Sequence, residues 1–189
     1  MSRHALVVCI AILLTGCAGA ARVESMVGAP TAQLVAASPL RQGVRVNSVL
    51  GGTATNPLWT SEIGNPEFQQ ALEQSLRAQG MLAEDGGRYH LNVNLMEIRQ
   101  PFIGLNFTVT STIRYTLVET VANRIAFEQT ITADYTAGVG DAFIAVERLR
   151  LANEGSAKAN ISKFLDALIQ SPEGRGGAAV RSISIGGTG

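Results

Sequence analysis

The sequence predicts an α+β fold, a two-layer sandwich in which a mainly antiparallel sheet of about four strands is covered on one face by two helices. Three observations support this prediction. Four segments alternate apolar and polar residues with a period of two, which is typical of strands with one buried face. Two segments repeat apolar residues at helical spacing. Their order is β-α-β-β-β-α, which allows both helices to cover the apolar face of one sheet.

The first strand begins the predicted domain. Val44 and Val46 alternate with polar neighbours, as a half-buried strand requires, and Gly51 and Gly52 end the segment. A loop over residues 53–64 then leads to the first helix.

The first helix is predicted to begin at Asn65. An Asn side chain accepts from free backbone N–H groups, Pro66 loses no donor at the first position, and Glu67 favours the positive end of the helix dipole. Gly80 is well placed to end the helix in a left-handed conformation. The residues that share one helical face are Phe68, Ala71, Leu72, Ser75 and Leu76.

Three further strands follow, each with apolar side chains at alternate positions. Ala122 and Asn123 supply turn residues, so the last two strands should form a hairpin. The other face of the sheet is rich in threonine and should meet water or a partner. The apolar positions are Tyr89, Leu91, Val93 and Leu95, then Phe107, Val109, Ile113, Tyr115 and Leu117, then Ile125, Phe127 and Ile131.

A second, longer helix is predicted from a cap at Asp141 to about Ile169, with Phe143 at the start of its apolar face. Gly155 weakens its middle by about 1 kcal/mol relative to alanine, which makes it a candidate position for a kink. Residues 171–189 form a Gly-rich tail that we expect to be mobile. Within it, residues 180–185 alternate and are a candidate for a further strand.

The composition excludes several classes of function. The chain has 189 residues with 15 basic and 15 acidic side chains, so no basic surplus is available for binding nucleic acid. Both His4 and Cys9 lie in an N-terminal segment that we expect to be removed, which leaves His90 and Cys17. This count excludes a disulfide within the monomer and a zinc site built from several His or Cys ligands. We therefore predict no metal and no cofactor.

The N-terminus has the pattern of a secretory signal peptide. Arg3 supplies a positive charge, and residues 5–14 form an uncharged apolar run of ten. That run is too short to span a bilayer as a helix, which takes about 20 apolar residues. The alternative is a short buried helix in a cytosolic domain.

The four residues Leu14-Thr15-Gly16-Cys17 resemble the lipobox of bacterial lipoprotein precursors. The resemblance implies that the signal peptidase recognises Leu14, Thr15 and Gly16, that residues 1–16 are removed, and that Cys17 is acylated. Acyl chains anchor a protein because each buried CH₂ contributes about 0.8 kcal/mol. Ala18 stands where such lipoproteins carry Asp for inner-membrane retention, which implies the outer membrane, facing the periplasm.

The mature chain is predicted to have three parts. Residues 17–43, rich in Ala, Gly, Pro and Ser, are interpreted as the lipidated cysteine and a flexible tether with a reach of roughly 25–30 Å. Residues 44–170 form the α+β periplasmic domain, and residues 171–189 form the tail.

The layout of residues 44–170 also resembles small periplasmic lipoproteins of the YajG type and the lipopolysaccharide-assembly lipoproteins. The segments that carry this resemblance are residues 68–72, 89–93 and 160–165. It is a similarity of layout without a diagnostic motif, so no functional residue is transferred from it.

Two surfaces are candidates for partner contact. Phe102, Ile103 and Leu105 lie between two strands and form a candidate apolar patch; the alternative is that Phe102 and Ile103 fold back over the core. A free sheet edge or the threonine-rich face is a second candidate, with an ordinary solvated face as the alternative. If the three side chains Arg45, Arg99 and Arg114 lie together on that face, they would suit an anionic ligand.

The sequence therefore predicts a non-enzymatic lipoprotein whose periplasmic domain binds or helps assemble another envelope component. Candidate partners, besides the bilayer that holds Cys17, are an outer-membrane protein, lipopolysaccharide or peptidoglycan. The alternative is an envelope enzyme acting on lipid or glycan through carboxylates, with Glu97, Glu119 and Asp134 as candidates. A deep cleft containing two of these carboxylates would favour the enzyme.

Overall fold

The computed structural model describes residues 19–56 and 60–176 of the chain. Within them it contains a four-stranded mixed sheet and three helices, which confirms the predicted α+β class. The strands are β1 (Val44–Leu50), β2 (Tyr89–Arg99), β3 (Phe107–Glu119) and β4 (Arg124–Ala137). The helices are α1 (Val23–Met26), α2 (Asn65–Ala78) and α3 (Ala145–Gln170).

The strands lie in the order β1-β2-β3-β4, the order in which they occur in the sequence. β1 and β2 are parallel because α2 carries the chain back between them, and the other two pairs are antiparallel. The β3–β4 pair is the predicted hairpin, and Asn123 adopts a positive φ of 47° in its turn. The sheet is therefore mainly antiparallel, as the sequence predicts.

Both long helices cover one face of the sheet, and the hydrophobic core lies between the two layers. The ring of Tyr115 on β3 stacks on Phe164 of α3, with centroids 4.0 Å apart. The opposite face of the sheet, called the outer face below, carries the polar side chains of the alternating pattern. The largest fully buried side chains include Phe68, Tyr89, Leu72, Leu76, Met81, Leu91, Ile113, Tyr115 and Phe164.

The face of α3 that meets the sheet also contains buried polar residues. Asn160 is fully buried and accepts a hydrogen bond from the Tyr115 hydroxyl at 2.9 Å. Its amide donates to the backbone oxygens of Ser111 and Ile131 at 3.0 and 2.9 Å. This network fixes the position of α3 along the sheet, because sliding the helix would leave buried polar groups without partners.

Both predicted helix caps are wrong, although Asn65 is indeed the first residue of α2. Gly64 is the N-cap of α2, and the Asn65 side chain instead accepts from the backbone N–H of Gly52 at 2.7 Å. The carboxylate of Asp141 accepts from the backbone N–H of Gly138 at 2.8 Å, and α3 begins four residues later at Ala145. In both places the side chain closes a neighbouring loop, which local helix signals do not distinguish from a cap. Gly80 has the predicted positive φ.

Residues 19–43, called the N-terminal arm below, pack on the domain, which differs from the predicted flexible tether. The side chains of Met26 and Leu40 are fully buried in the core. Backbone N–H groups of the arm also find acceptors on both helices, for example Gly28 on the Ser75 hydroxyl at 2.9 Å and Ala32 on the Asp166 carboxylate at 2.8 Å. Composition indicated flexibility, but a few well-placed apolar side chains and satisfied backbone donors are enough to hold the segment.

At the other end, residues 171–176 form turns after α3, and Ser171 and Glu173 are buried. The candidate strand over residues 180–185 lies outside the described residues. Leu14, Thr15, Gly16 and Cys17 also lie outside them. Among the helices of the described part, none combines the length and apolar character needed to cross a membrane.

Candidate functional site

An apolar surface at one end of the sheet is the candidate site that the sequence predicts in part. Phe102 and Ile103 are 101 % and 92 % exposed, so they do not fold back over the core. Leu105 in the same loop is also exposed. Phe143 and Ile144, in the loop before α3, add two more exposed apolar side chains. We call these five residues the apolar tip.

Two of the five tip residues, Phe143 and Ile144, were not predicted, because the long helix was expected to begin at Asp141 with Phe143 on its apolar face. In the structure α3 begins only at Ala145, so Phe143 remains in the preceding loop, where it is 90 % exposed. The signal that could have found it is the Gly-rich segment 138–140, which is more typical of a loop than of a helix start.

The sheet register brings the two loops of the apolar tip together. Phe107 at the start of β3 pairs with Ala137 at the end of β4, so residues 100–106 and 138–144 leave the sheet at the same end. The guanidinium of Arg148, which is buried, lies 5.2 Å from the centre of the Phe107 ring. Its Nη1 donates to the backbone oxygens of residues 142 and 143 at 2.8 and 2.7 Å. Arg148 therefore ties the second loop to the first turn of α3.

A cavity lies where the N-terminal arm meets α3 and the end of β4, and we call it the arm cleft. It measures about 690 Å³ and is lined by Arg22 and Ser25 of the arm, Tyr135 of β4, and Glu154 and Lys158 of α3, among others. No sequence signal predicted this cleft, because its walls come from segments that are more than 100 residues apart in the chain.

Arg22 and Glu154 form the principal ion pair of the arm cleft. The backbone N–H and Nε of Arg22 donate to Oε1 of Glu154 at 2.9 and 3.0 Å, and Nη2 donates to Oε2 at 3.0 Å. The Glu154 side chain is 3 % exposed, and hydrogen bonding to its carboxylate raises the pKa of Arg22 above its ordinary value. This pair connects the start of the described chain to the longest helix.

The outer face carries a ladder of threonines between β3 and β4. The hydroxyls of Thr108 and Thr136 lie 2.8 Å apart, and those of Thr112 and Thr132 lie 3.2 Å apart. These residues face away from the helices, as the alternation predicts. Each of these hydroxyls can both donate and accept a hydrogen bond, which suits contact with a polar partner.

The three arginines of the outer face are not brought together. Arg114 pairs with Asn94, whereas Arg99 pairs with Thr110, about 13 Å farther along the strand. Arg45 lies opposite His90, roughly as far away in the other direction. The predicted arrangement for an anionic ligand is therefore wrong, because the register separates the three positions.

The carboxylates of the alternative enzyme hypothesis are also separated. Glu97 is paired with Arg99 at 3.1 Å on the outer face. Glu119 lies near the hairpin and is bridged by Arg88 and Arg124, each at 2.8 Å. Glu97, Glu119 and Asp134 line neither the arm cleft nor any of three smaller cavities among the described residues. Among the described residues, these cavities therefore bring no two of the three candidate carboxylates together.

The described residues contain no group of three His, Cys, Asp or Glu side chains placed to hold a metal ion. The pKa of Glu119 is lowered, first by its hydrogen bond from Arg88 and further by the charge of Arg124. Such a carboxylate is stabilised in its charged form, which suits a structural ion pair better than a general acid.

No protein-family model matches this sequence, and no curated protein matches it. Solved structures do resemble the fold. A Xanthomonas campestris protein, XCC0632, assigned to the family model DUF330, is 12 % identical with a TM-score of 0.54, covering 75 % of this chain and 93 % of its own. The hypothetical protein CT253 of Chlamydia trachomatis is 9 % identical with a TM-score of 0.50, covering 70 % of this chain and 95 % of its own.

A putative lipoprotein of Caulobacter crescentus is 11 % identical with a TM-score of 0.44, covering 68 % of this chain and 88 % of its own. A score this low supports no conclusion about this chain. The resemblance to YajG-type and lipopolysaccharide-assembly lipoproteins is not confirmed and stays a prediction. At these identities, the first two likenesses show only that the α+β domain shares its fold with these two proteins, and they transfer no activity.

Proposed function

We propose that this chain is the precursor of a membrane-anchored bacterial lipoprotein whose domain binds another component of the cell envelope without catalysing a reaction. The observation that carries the proposal is the motif Leu14-Thr15-Gly16-Cys17 directly after the apolar run of residues 5–14. In this proposal Cys17 carries the acyl chains, and the mature protein is held at the outer membrane, facing the periplasm.

The domain supports a binding role through the surfaces that it presents. The outer face offers the threonine ladder of β3 and β4, and β4 is an edge strand of the sheet. A partner can therefore meet a wide polar surface or extend the sheet at that edge. An outer-membrane protein, lipopolysaccharide and peptidoglycan all present hydroxyl, amide or carboxylate groups that such a surface can recognise.

Metabolic labelling with a fatty acid tests the anchor. We expect the wild-type chain to incorporate the label and to sediment with membranes, and we expect Cys17→Ser to lose both properties. The matched control is Cys9→Ser, which removes the other cysteine of the precursor and should leave labelling unchanged. A labelled Cys17→Ser variant, or a wild-type protein whose N-terminus is still Met1, would refute the proposal.

Site-specific cross-linking in intact cells tests the binding role. A photoreactive residue at Thr112 on the outer face should produce a discrete cross-linked species whose yield falls when Cys17→Ser removes the anchor. The control position is Asp85, which is exposed in the turn before β2 and away from the threonine ladder. Equal yields at both positions, or none at Thr112, would count against a binding surface on the outer face.

A further inference from the structure

We infer that the apolar tip is a second membrane contact, which inserts its side chains into the same lipid surface that holds the acyl chains of Cys17. The inference rests on the proposed lipidation of Cys17. It adds that the domain is held against the bilayer in one orientation, whereas a flexible tether would let it move freely.

The first argument is the place where the described chain begins. Gly19 lies beside Arg150, since a Cβ built on this glycine would be 3.6 Å from Nη1 of that arginine. Arg150 is in the second turn of α3, about 9 Å along the helix from Ile144 of the apolar tip. Cys17 precedes Gly19 by two residues, which span at most about 7 Å. The described chain therefore starts at the end of the domain that carries the tip, two residues after the proposed acylation position.

A second set of contacts also places the start of the N-terminal arm at the end of the domain that carries the apolar tip. The backbone N–H of Ala21 donates to the backbone oxygen of Glu62 at 3.4 Å. The carboxylate of Glu62 accepts from the side-chain amide of Gln100 at 3.0 Å, and Gln100 is the first residue of the first loop of the tip. Glu62 and Phe102 also line one cavity of about 450 Å³. The start of the arm is thus connected to both loops of the tip.

The chemistry of the tip suits a lipid surface. Residues 100–106 and 138–144 contain one ionisable side chain, Asp141, and its carboxylate is engaged by the backbone N–H of Gly138. Side chains as exposed as Phe102, Ile103 and Phe143 protrude from their loops without covering one another. Protruding aromatic and aliphatic groups can enter the headgroup region of a bilayer, which needs no complementary shape.

The opposite end of the sheet provides a matched control. Val121 in the β3–β4 turn is 93 % exposed, so it is an apolar side chain as accessible as Ile103. The 13 residues of β3 separate this turn from the tip by about 40 Å. If the tip lies in the bilayer, Val121 lies in water.

The experiment uses the full lipidated chain reconstituted into vesicles of phosphatidylethanolamine and phosphatidylglycerol. An environment-sensitive fluorophore is attached through Ile103→Cys in one variant and Val121→Cys in the other, since acylation protects Cys17 from the label. We expect a blue shift at position 103 and a loss of its emission when the vesicles contain spin-labelled lipid. At position 121 we expect neither change.

The outcomes separate this inference from the proposed function. If the labelled protein is acylated and floats with the vesicles but the probe at 103 reports water, the membrane tip is refuted and the lipoprotein proposal remains. If the chain is not acylated, both fail. If the probe at 103 becomes shielded without lipid, and more so at higher concentration of a Cys17→Ser protein, a second copy covers the tip and the inference is wrong.

A second measurement removes the anchor and tests the tip alone. The mature chain, which lacks residues 1–16, should retain weak binding to the same vesicles when it carries Cys17→Ser, and Phe102→Ser combined with Ile103→Ser should reduce its partition at least about tenfold. Val121→Ser should leave the partition unchanged. Equal partition of all three proteins would overturn the inference. The substituted side chains are exposed, so neither change disturbs the core.

Discussion

The ring of Tyr135 on β4 occupies the space that any side chain at Gly155 of α3 would need. A Cβ built on Gly155 would overlap Cγ, Cδ1 and Cδ2 of the ring. The helix is continuous through this glycine, from Ala145 to Gln170, so Gly155 breaks no helical hydrogen bonding. Its role is to let the edge strand approach the helix, at the wall of the arm cleft.

The first prediction follows from that contact. Gly155→Ala should destabilise the fold by about 1–2 kcal/mol, because overpacking against Tyr135 outweighs the gain of about 1 kcal/mol in helix propensity. In a Tyr135→Ala background the same change should instead stabilise the protein. Urea unfolding of the wild type, the two single variants and the double variant measures the sign of the change in the free energy of unfolding in each background. Additive effects would show that the two residues are not coupled.

Removing the charged side chain of Arg22 should loosen the N-terminal arm. Arg22→Ala leaves the buried Glu154 carboxylate with Arg150 at 3.8 Å as its remaining charged neighbour. The expected cost is about 2 kcal/mol, less than for a fully buried pair because Arg22 is half exposed. Chemical unfolding measures this loss, and hydrogen exchange should show faster exchange in residues 21–32.

The matched control for that prediction is Arg99→Ala. Arg99 and Glu97 form an ion pair at 3.1 Å, but both side chains are more than half exposed. We expect a change below about 0.5 kcal/mol, since solvent screens such pairs. A comparable loss of stability in Arg22→Ala and Arg99→Ala would mean that burial of Glu154 does not cause the effect of Arg22→Ala.

The buried network around Asn160 gives a third prediction. Tyr115→Phe should cost about 1–2 kcal/mol, because the side-chain oxygen of Asn160 loses its donor while the stack on Phe164 is kept. Asn160→Ala should cost about 3 kcal/mol, because it also removes the donors to two backbone oxygens and leaves a small cavity. Thermal and urea unfolding check both values.

The control for Asn160 is Asn47, which donates to Asn92 at 2.8 Å in an exposed position. Asn47→Ala should change the free energy of unfolding by less than about 0.5 kcal/mol. If Asn47→Ala lowered the free energy of unfolding as much as Asn160→Ala, burial would not explain the effect at Asn160.

The fourth prediction concerns pH. The pKa of Glu119 is lowered from its ordinary value of 4.5, mainly by the hydrogen bond from Arg88. The unfolded chain therefore binds this proton more readily than the folded one, so the contribution of Glu119 to stability is present above pH 4.5 and is lost as the pH falls through the lower folded pKa. Wild type should be more stable than Glu119→Gln at pH 7, with the difference shrinking below pH 4.5. A difference independent of pH would exclude the charge as its source.

Local patterns in the sequence were sufficient for the elements of the fold. Period-two alternation placed β1 to β4, and the predicted start at Asn65 and stop at Gly80 agree with α2. These features depend on neighbours within a few residues, and local sequence encodes them directly. The caps failed because Asn65 and Asp141 have a choice of partners that only the folded loops decide.

The candidate site was predicted only in part for a similar reason. Exposure of Phe102 and Ile103 was one of two alternatives that the sequence left open. The position of Phe143 beside them depends on the pairing of Phe107 with Ala137, a contact between residues 30 positions apart. The separation of the arginines on the outer face depends on strand register, which the alternation of residue types does not specify.

The sequence by itself determined the class of the domain, the alternation that divides its sheet into two faces, and the lipobox-like segment at its N-terminus. Only the tertiary structure decided that the arm packs on the domain, that Gly155 lies against a tyrosine ring, and that five exposed apolar side chains lie at the end where the described residues begin. The physical reason is the range of the interactions. Hydrogen bonding and side-chain periodicity within a segment are local, whereas burial of Met26 and pairing of Arg22 with Glu154 need surfaces that the folded chain creates.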